Sequence, residues 1–182
     1  MPTALLLIDL QNDYFPGGAM ELVGAEPAVQ QAAHLLQAFR QRSLPVFHVQ
    51  HVSKRPGATF FLPDTKGVEI HPAVRPGPGE ALVTKHFPNS FRETALLADL
   101  KTAGITKLVV AGMMTHMCVD SSVRAAADLG FQCALAQDGC ATRDLQLGSE
   151  KVAAAQVHLA YLAGLNGLFA QVQPAQKLAA EL

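Results

Sequence analysis

Ala111-Gly-Met-Met-Thr-His-Met-Cys118-Val-Asp-Ser-Ser122 is the stretch that decides the fold of this chain. The apolar residues 108–110 lead into it, and Val123-Arg-Ala-Ala-Ala127 follows with helical character. It reads as a buried strand that ends in a tight turn and launches a helix, with Cys118 at or near the first helical turn. A helix N-terminus carries partial positive charge and unpaired N–H groups. That setting lowers a thiol's pKa and favours the thiolate, the reactive form. A free cysteine is most often a small buried hydrophobe. Cys118 gains chemical meaning only from two stretches far away in sequence.

The first is Thr3-Ala-Leu-Leu-Leu-Ile8, a continuous apolar run followed directly by Asp9. Such a run suits a strand buried on both faces of a parallel sheet. A carboxylate where a central strand stops lies at the carboxyl edge, where open α/β sheets bind ligands. A cap or loop role suits Asn12 and Asp13 better than Asp9. The second is Ala81-Leu-Val-Thr-Lys85, a short strand ending in a lysine. One lysine alone belongs on a solvated face. Three strand ends that offer a carboxylate, an ammonium and a thiol supply a general base, a fixed cation and a nucleophile.

The rest of the chain fits one α/β domain, residues 1–182. Strands are expected at 4–8, 45–50, 81–84, 107–111, 132–137 and 168–172, with helices between them, so the fold class is a three-layer α-β-α sandwich around a mainly parallel six-stranded sheet. Pro27 suits the first turn of a helix running through Arg40. Further helices are expected at 94–103 and 119–129, each stopped by a glycine, at 149–163, and at 174–182, which either packs back or reaches a partner subunit. Residues 53–80 are dense in proline and glycine and hold Phe60 and Phe61. So long a loop is usually functional. Its phenylalanines either plug it onto the body or wall a substrate pocket, and variation in substrate is expected to reside there.

Composition narrows the classes. Hydrophobic residues make up 49% of the 182, and mean hydropathy is +0.20. Both sheet faces are therefore covered, or an apolar surface is buried between subunits, or both. Fourteen basic and 15 acidic residues are dispersed, for a net charge of −1, which argues against nucleic acid. The three cysteines, Cys118, Cys133 and Cys140, are odd in number and lack metal-ligand spacing. A reducing cytoplasm fits them better than a disulfide framework. Asp9 cuts the first apolar run short and no basic region precedes it, so no signal peptide is expected. No stretch reaches transmembrane length. The first strand lacks a dinucleotide-binding glycine turn, and no phosphate-binding loop is present.

Taken together, these segments resemble the cysteine hydrolases of the isochorismatase-like superfamily. The matching pieces are Leu7-Ile-Asp9-Leu-Gln11-Asn-Asp-Tyr-Phe15, Lys85 with Phe87 and Phe91, Gly112-Met-Met-Thr115-His-Met-Cys118-Val119, and Asp138-Gly-Cys-Ala141. The resemblance implies an Asp9, Lys85 and Cys118 triad and a cis peptide between Met113 and Met114. It also implies hydrolysis of a small amide through a covalent acyl-enzyme. Lys85 and the helix dipole would hold Cys118 as thiolate, Asp9 would shuttle the proton, and the backbone N–H groups of Met114 and Cys118 would bind the oxyanion. Gln11, Phe15, Phe60 and Thr115 are the expected substrate contacts, although Thr115 is better suited to fixing the turn.

Related nicotinamidases bind a metal through an Asp-x-His pair. Here His48-Val-Gln50-His51 lacks that aspartate, so neither a metal nor another cofactor is expected. Isochorismatases proper cleave a vinyl ether and carry a small residue in place of the cysteine, which tilts this chain toward C–N hydrolysis. Vinyl-ether hydrolysis is the alternative, and a non-catalytic redox or interaction module is a third. The expected partners are a small-molecule amide and further copies of the chain, as a homodimer or homotetramer, with no nucleic acid and no membrane.

Overall fold

The structure is a computed structural model and describes residues 2–182. Strands β1 (Thr3–Ile8), β2 (Val46–His51), β3 (Ala81–Lys85), β4 (Lys107–Met113), β5 (Gln132–Ala141) and a late strand, Gln171–Gln173, form one six-stranded sheet. The late strand is β8, because a small hairpin, β6 (Leu145–Leu147) with β7 (Glu150–Val152), precedes it. Sheet order is β3-β2-β1-β4-β5-β8, and every pairing in the sheet is parallel. The helices are α1 (Ala25–Gln41), α2 (Leu96–Thr102), α3 (Asp120–Asp128), α4 (Ala154–Leu165) and α5 (Ala175–Ala180).

Alternate residues of a strand face opposite sides of a sheet, and that period builds the three layers. Leu5, Leu7, Val46, Val109 and Ala134 point one way and pack with Val29, Leu36 and Phe39 of α1 and Leu178 of α5. Leu6, Ile8, Phe47, Val83, Leu108 and Val110 point the other way, against Leu96 and Leu100 of α2, Val123 and Ala126 of α3, and Leu162 and Leu165 of α4. Of the two alternatives for the C-terminal segment, α5 packs back onto α1.

Three boundaries differ from the sequence expectation by more than two residues. β5 does not stop at 137 but runs on to Ala141, past a register shift in its pairing with β4. Ser149 does not begin a helix. It follows Gly148 in the turn of the β6–β7 hairpin, and α4 starts at Ala154, whose N–H donates to Asp144 Oδ1 at 2.8 Å. The last sheet strand covers Gln171–Gln173 rather than 168–172, because the Phe169 and Ala170 N–H groups still bond back to Leu165 of α4.

The topology places the site. β1 and β4 are neighbours, with Ile8 opposite Gly112. The chain leaves β1 toward α1 on one face and β4 toward α3 on the other. Between such diverging connections a crevice opens at the carboxyl ends of the strands. Gly112 permits the close approach: at its φ of 150°, a Cβ would run into the Ile8 carbonyl oxygen.

Candidate active site

Asp9 follows β1 with φ 52°, a left-handed conformation uncommon for any residue but glycine. Its N–H donates to the Val49 carbonyl at 3.0 Å. Lys85 ends β3 in register with His51, the last residue of β2. Cys118 lies beyond β4, after the cis peptide Met113–Met114. The chain there makes a wide turn, Thr115–Val119, closed by a bond from the Val119 N–H to the Met114 carbonyl at 3.2 Å, and α3 begins at Asp120. Wide turns of this i→i+5 kind occur frequently at functional sites. The Thr115 hydroxyl donates to the Ala141 carbonyl at 3.2 Å and meets His158 Nδ1 at 2.9 Å, while His116 Nδ1 meets the Thr142 hydroxyl at 2.6 Å. These bonds pin the turn to the end of β5 and to α4.

The Lys85 ammonium joins the three strand ends. Nζ donates to Asp9 Oδ2 at 2.7 Å, to His51 Nδ1 at 2.9 Å and to Cys118 Sγ at 3.3 Å. An ammonium has three donors, and all three are used. Asp9 and Lys85 are both 0% exposed. Burial by itself would lower the lysine pKa, but the facing Asp9 carboxylate, with the hydrogen bonds that Nζ gives to Asp9 and Cys118, holds the pKa above the usual value. His51 is pushed down to about 4, by burial first and then by the neighbouring lysine charge. It is therefore a neutral acceptor at pH 7. Burial, reinforced by the Asp9 carboxylate, raises the Cys118 thiol above its ordinary value, and Lys85 offsets only part of this. The thiolate expected from the helix dipole is thus not the resting form. The thiol keeps its proton beside a carboxylate whose second oxygen, Oδ1, has no hydrogen-bond partner.

Asp9, His51 and Cys118 each offer a ligand atom, all within 4.8 Å of one another. The Lys85 ammonium is hydrogen-bonded to all three residues. It fills the place that a cation would need, so the donor set does not fit a metal while Lys85 stands there.

A cavity of about 830 Å³ opens over the thiol. Tyr14, His51, Phe61, Met114 and Cys118 are the buried or half-buried lining nearest the thiol, and Phe60, His86, Phe87, Pro88, Glu93, Met117 and residues 53–59 complete it. Both expectations for the long loop hold in part. Phe61 is the plug: it is buried against Tyr14 with ring centroids 4.6 Å apart, and its N–H donates to Asp13 Oδ2 at 2.6 Å. Its carbonyl accepts from the Ser53 N–H at 2.9 Å, which closes the base of an excursion over residues 54–60. Phe60 stays half-buried on the cavity wall.

Three expected substrate contacts lie elsewhere. Gln11 is fully buried; its amide N–H groups go to the His51 and Val68 carbonyls, and its oxygen accepts the His51 N–H. It is a strut between strand ends. Phe15 faces the core and His71, with rings 4.1 Å apart. Thr115 is buried under the turn it fixes. Tyr14 and Met117 are residues of the site that sequence reasoning passed over, and His51 was weighed there only as a metal ligand; its place beside Lys85 comes from the register of β2 and β3.

The isochorismatase domain model matches residues 3–172. The chain belongs to the isochorismatase family. This isochorismatase-family hydrolase is 51% identical over 173 residues to the isochorismatase family protein YddQ of Bacillus subtilis (strain 168), covering 95% of this chain and 96% of that one. It is 37% identical over 142 residues to the streptothricin hydrolase of Streptomyces noursei, covering 78% of this chain and 50% of that protein. The crystal structure of an isochorismatase-family protein from Oleispira antarctica superposes with a TM-score of 0.95 at 52% identity, covering 98% of this chain and 96% of that one. Among the described residues of this family member, no helix is long and apolar enough to cross a membrane.

Proposed function

We propose that this protein hydrolyses a small amide C–N bond through a covalent acyl-enzyme on Cys118. The observation that carries this is the Lys85 ammonium bridging Asp9 and Cys118 while Asp9 Oδ1 stays unpartnered. A buried carboxylate with a free oxygen beside a thiol is a general base in waiting. Asp9 takes the thiol proton as Sγ bonds to the amide carbonyl carbon. The resulting oxyanion is held by the backbone N–H groups of Met114 and Cys118; one such donor is worth about 3 kcal/mol. The C–N bond breaks as Asp9 passes the proton to the leaving amine. Asp9 then takes a proton from water, the hydroxide attacks the thioester, and the thiol leaves reprotonated. Lys85 stays cationic throughout and holds both partners in place, and His51 fixes the third direction of its ammonium. The presence of a cysteine, rather than a small residue, at position 118 supports C–N over vinyl-ether cleavage.

The test is a panel of small amides scored for ammonia, with Cys118→Ser as control. Turnover lost in the control supports the proposal. Cleavage of chorismate-type vinyl ethers without ammonia from any amide would replace it. Peroxide sensitivity without turnover of either class would leave a sensor thiol.

We further propose a homodimer or homotetramer in the cytoplasm. The three cysteines are unpaired, as a reducing compartment favours. Leu147, Leu159 and Leu168 are 85%, 69% and 82% exposed on the hairpin, on α4 and just after it. Light scattering showing only a 19.3 kDa species at micromolar concentration would reject the assembly.

A further inference from the structure

We infer that the substrate is an amide whose far end carries a carboxylate or a similar anionic group, held by Lys54 and Arg55 at the cavity mouth. This rests on the amide-hydrolase proposal above and adds the class of substrate. The cavity is graded. Cys118, 5% exposed, lies at its floor. Phe60 and Phe87 line it half-buried, and the exposed Met117, Lys54 and Arg55 lie toward solvent, the two cations just before the Pro56-Gly57 bend. Its volume of about 830 Å³ suits a ligand well beyond a simple two- or three-carbon amide.

The charges of the wall do not balance. Behind the lining, the buried Lys85 is matched by Asp9. His51 is uncharged at neutral pH, and burial keeps the Tyr14 phenol protonated. Glu93 is the one exposed carboxylate of the lining, and it is already paired with Arg92 at 3.6 Å. Lys54 and Arg55, adjacent in sequence, have no carboxylate partner among the described residues. Two neighbouring unpaired cations over an apolar shaft that ends in a nucleophile fit a molecule with an amide at one end, a hydrocarbon spacer and an anion at the other.

Monoamides of straight-chain dicarboxylic acids test this against methyl-terminated amides and ω-amino amides of equal length, with ammonia release as readout. The monoamide is expected to exceed the methyl-terminated amide about tenfold in kcat/KM, the size of two solvent-accessible ion pairs acting together. The difference should sit in KM and shrink as salt is added. In the variant K54E/R55E the order should reverse in favour of the ω-amino amide. Amide turnover with a ratio near one in the wild type, or an unchanged ratio in the variant, overturns the inference and leaves the amide-hydrolase proposal standing.

A second readout needs no turnover. The rate of Cys118 alkylation by anionic iodoacetate, relative to neutral iodoacetamide, should drop severalfold in K54E/R55E. An unchanged alkylation ratio overturns the anionic mouth, whether or not any amide is cleaved.

Discussion

Replacing Lys85 with methionine removes the ammonium while keeping most of the volume of its stem. In the wild type, Nζ donates to Asp9, His51 and Cys118 at 2.7, 2.9 and 3.3 Å. Lys85 and Asp9 are both 0% exposed. Lys85→Met therefore strands a carboxylate away from water, which costs about 3–5 kcal/mol. In a domain of this size about 1 kcal/mol shifts Tm by roughly 2–4 °C, so Tm should fall by roughly 6–20 °C. The double variant Asp9→Asn/Lys85→Met has no charge left to strand and should regain most of that loss. Turnover behaves differently. Both variants should lose about a thousandfold or more in kcat, and the double should be little worse than the single, as for groups that act as a unit. Thermal unfolding followed by circular dichroism, run beside ammonia release, reads both quantities. A double variant as unstable as Lys85→Met would show that packing, and not the stranded charge, sets the cost. Turnover above a tenth of wild type in Lys85→Met would refute the role given to the ammonium.

Cys118 should react with iodoacetamide before Cys133 and Cys140, because it alone of the three lines the cavity and has a carboxylate beside it to take its proton; equal labelling of all three would count against an activated thiol. His51 titrates near 4 in the folded chain, below its ordinary 6.5. Its contribution to stability is therefore complete above about pH 6.5 and is lost as pH falls toward 4, by about 2 kcal/mol after allowing for partial solvent access. His51→Phe should flatten that part of the stability–pH curve, and an unaltered slope would show that another group titrates there. Gly112→Ala should cost about 1–3 kcal/mol through overpacking against Ile8, and should lower kcat further than stability alone explains by parting the strand ends that carry Asp9 and Cys118; a fully active variant would show that the close approach is not needed.

Much of this was legible in the chain. The run Thr3–Ile8 ending in Asp9, the strand ending in Lys85 and the turn holding Cys118 each carry a local signature, and strand-end chemistry in a parallel sheet must converge on one edge. What escaped is non-local. The bond between His51 and Lys85 follows from the register of β2 and β3, which no local pattern in either strand announces. Gln11 looked like a pocket residue from its place beside Asp9, yet the backbone groups of His51 and Val68 claim its whole amide. The protonation state of Cys118 was misjudged because a helix terminus is visible in sequence, whereas burial beside a carboxylate is not. Ser149 was a choice between two local rules: a serine that could cap a helix is also a residue that suits a hairpin turn after Gly148, and the flanking residues of β6 and β7 decided it.

The closure at Ser53 and Phe61 divides the long crossover into parts with separate duties. Residues 54–60 form a cassette clipped at its base, with Asp13 as the fastener. Lengthening such a cassette is cheap, since each doubling of a flexible loop adds only about 0.6 kcal/mol of closure entropy. Its side chains can be exchanged without moving β1, β3 or β4, on which the reacting groups sit. A lineage carrying this scaffold can therefore change what it recognises while leaving how it reacts untouched, and the two properties are free to evolve at different rates.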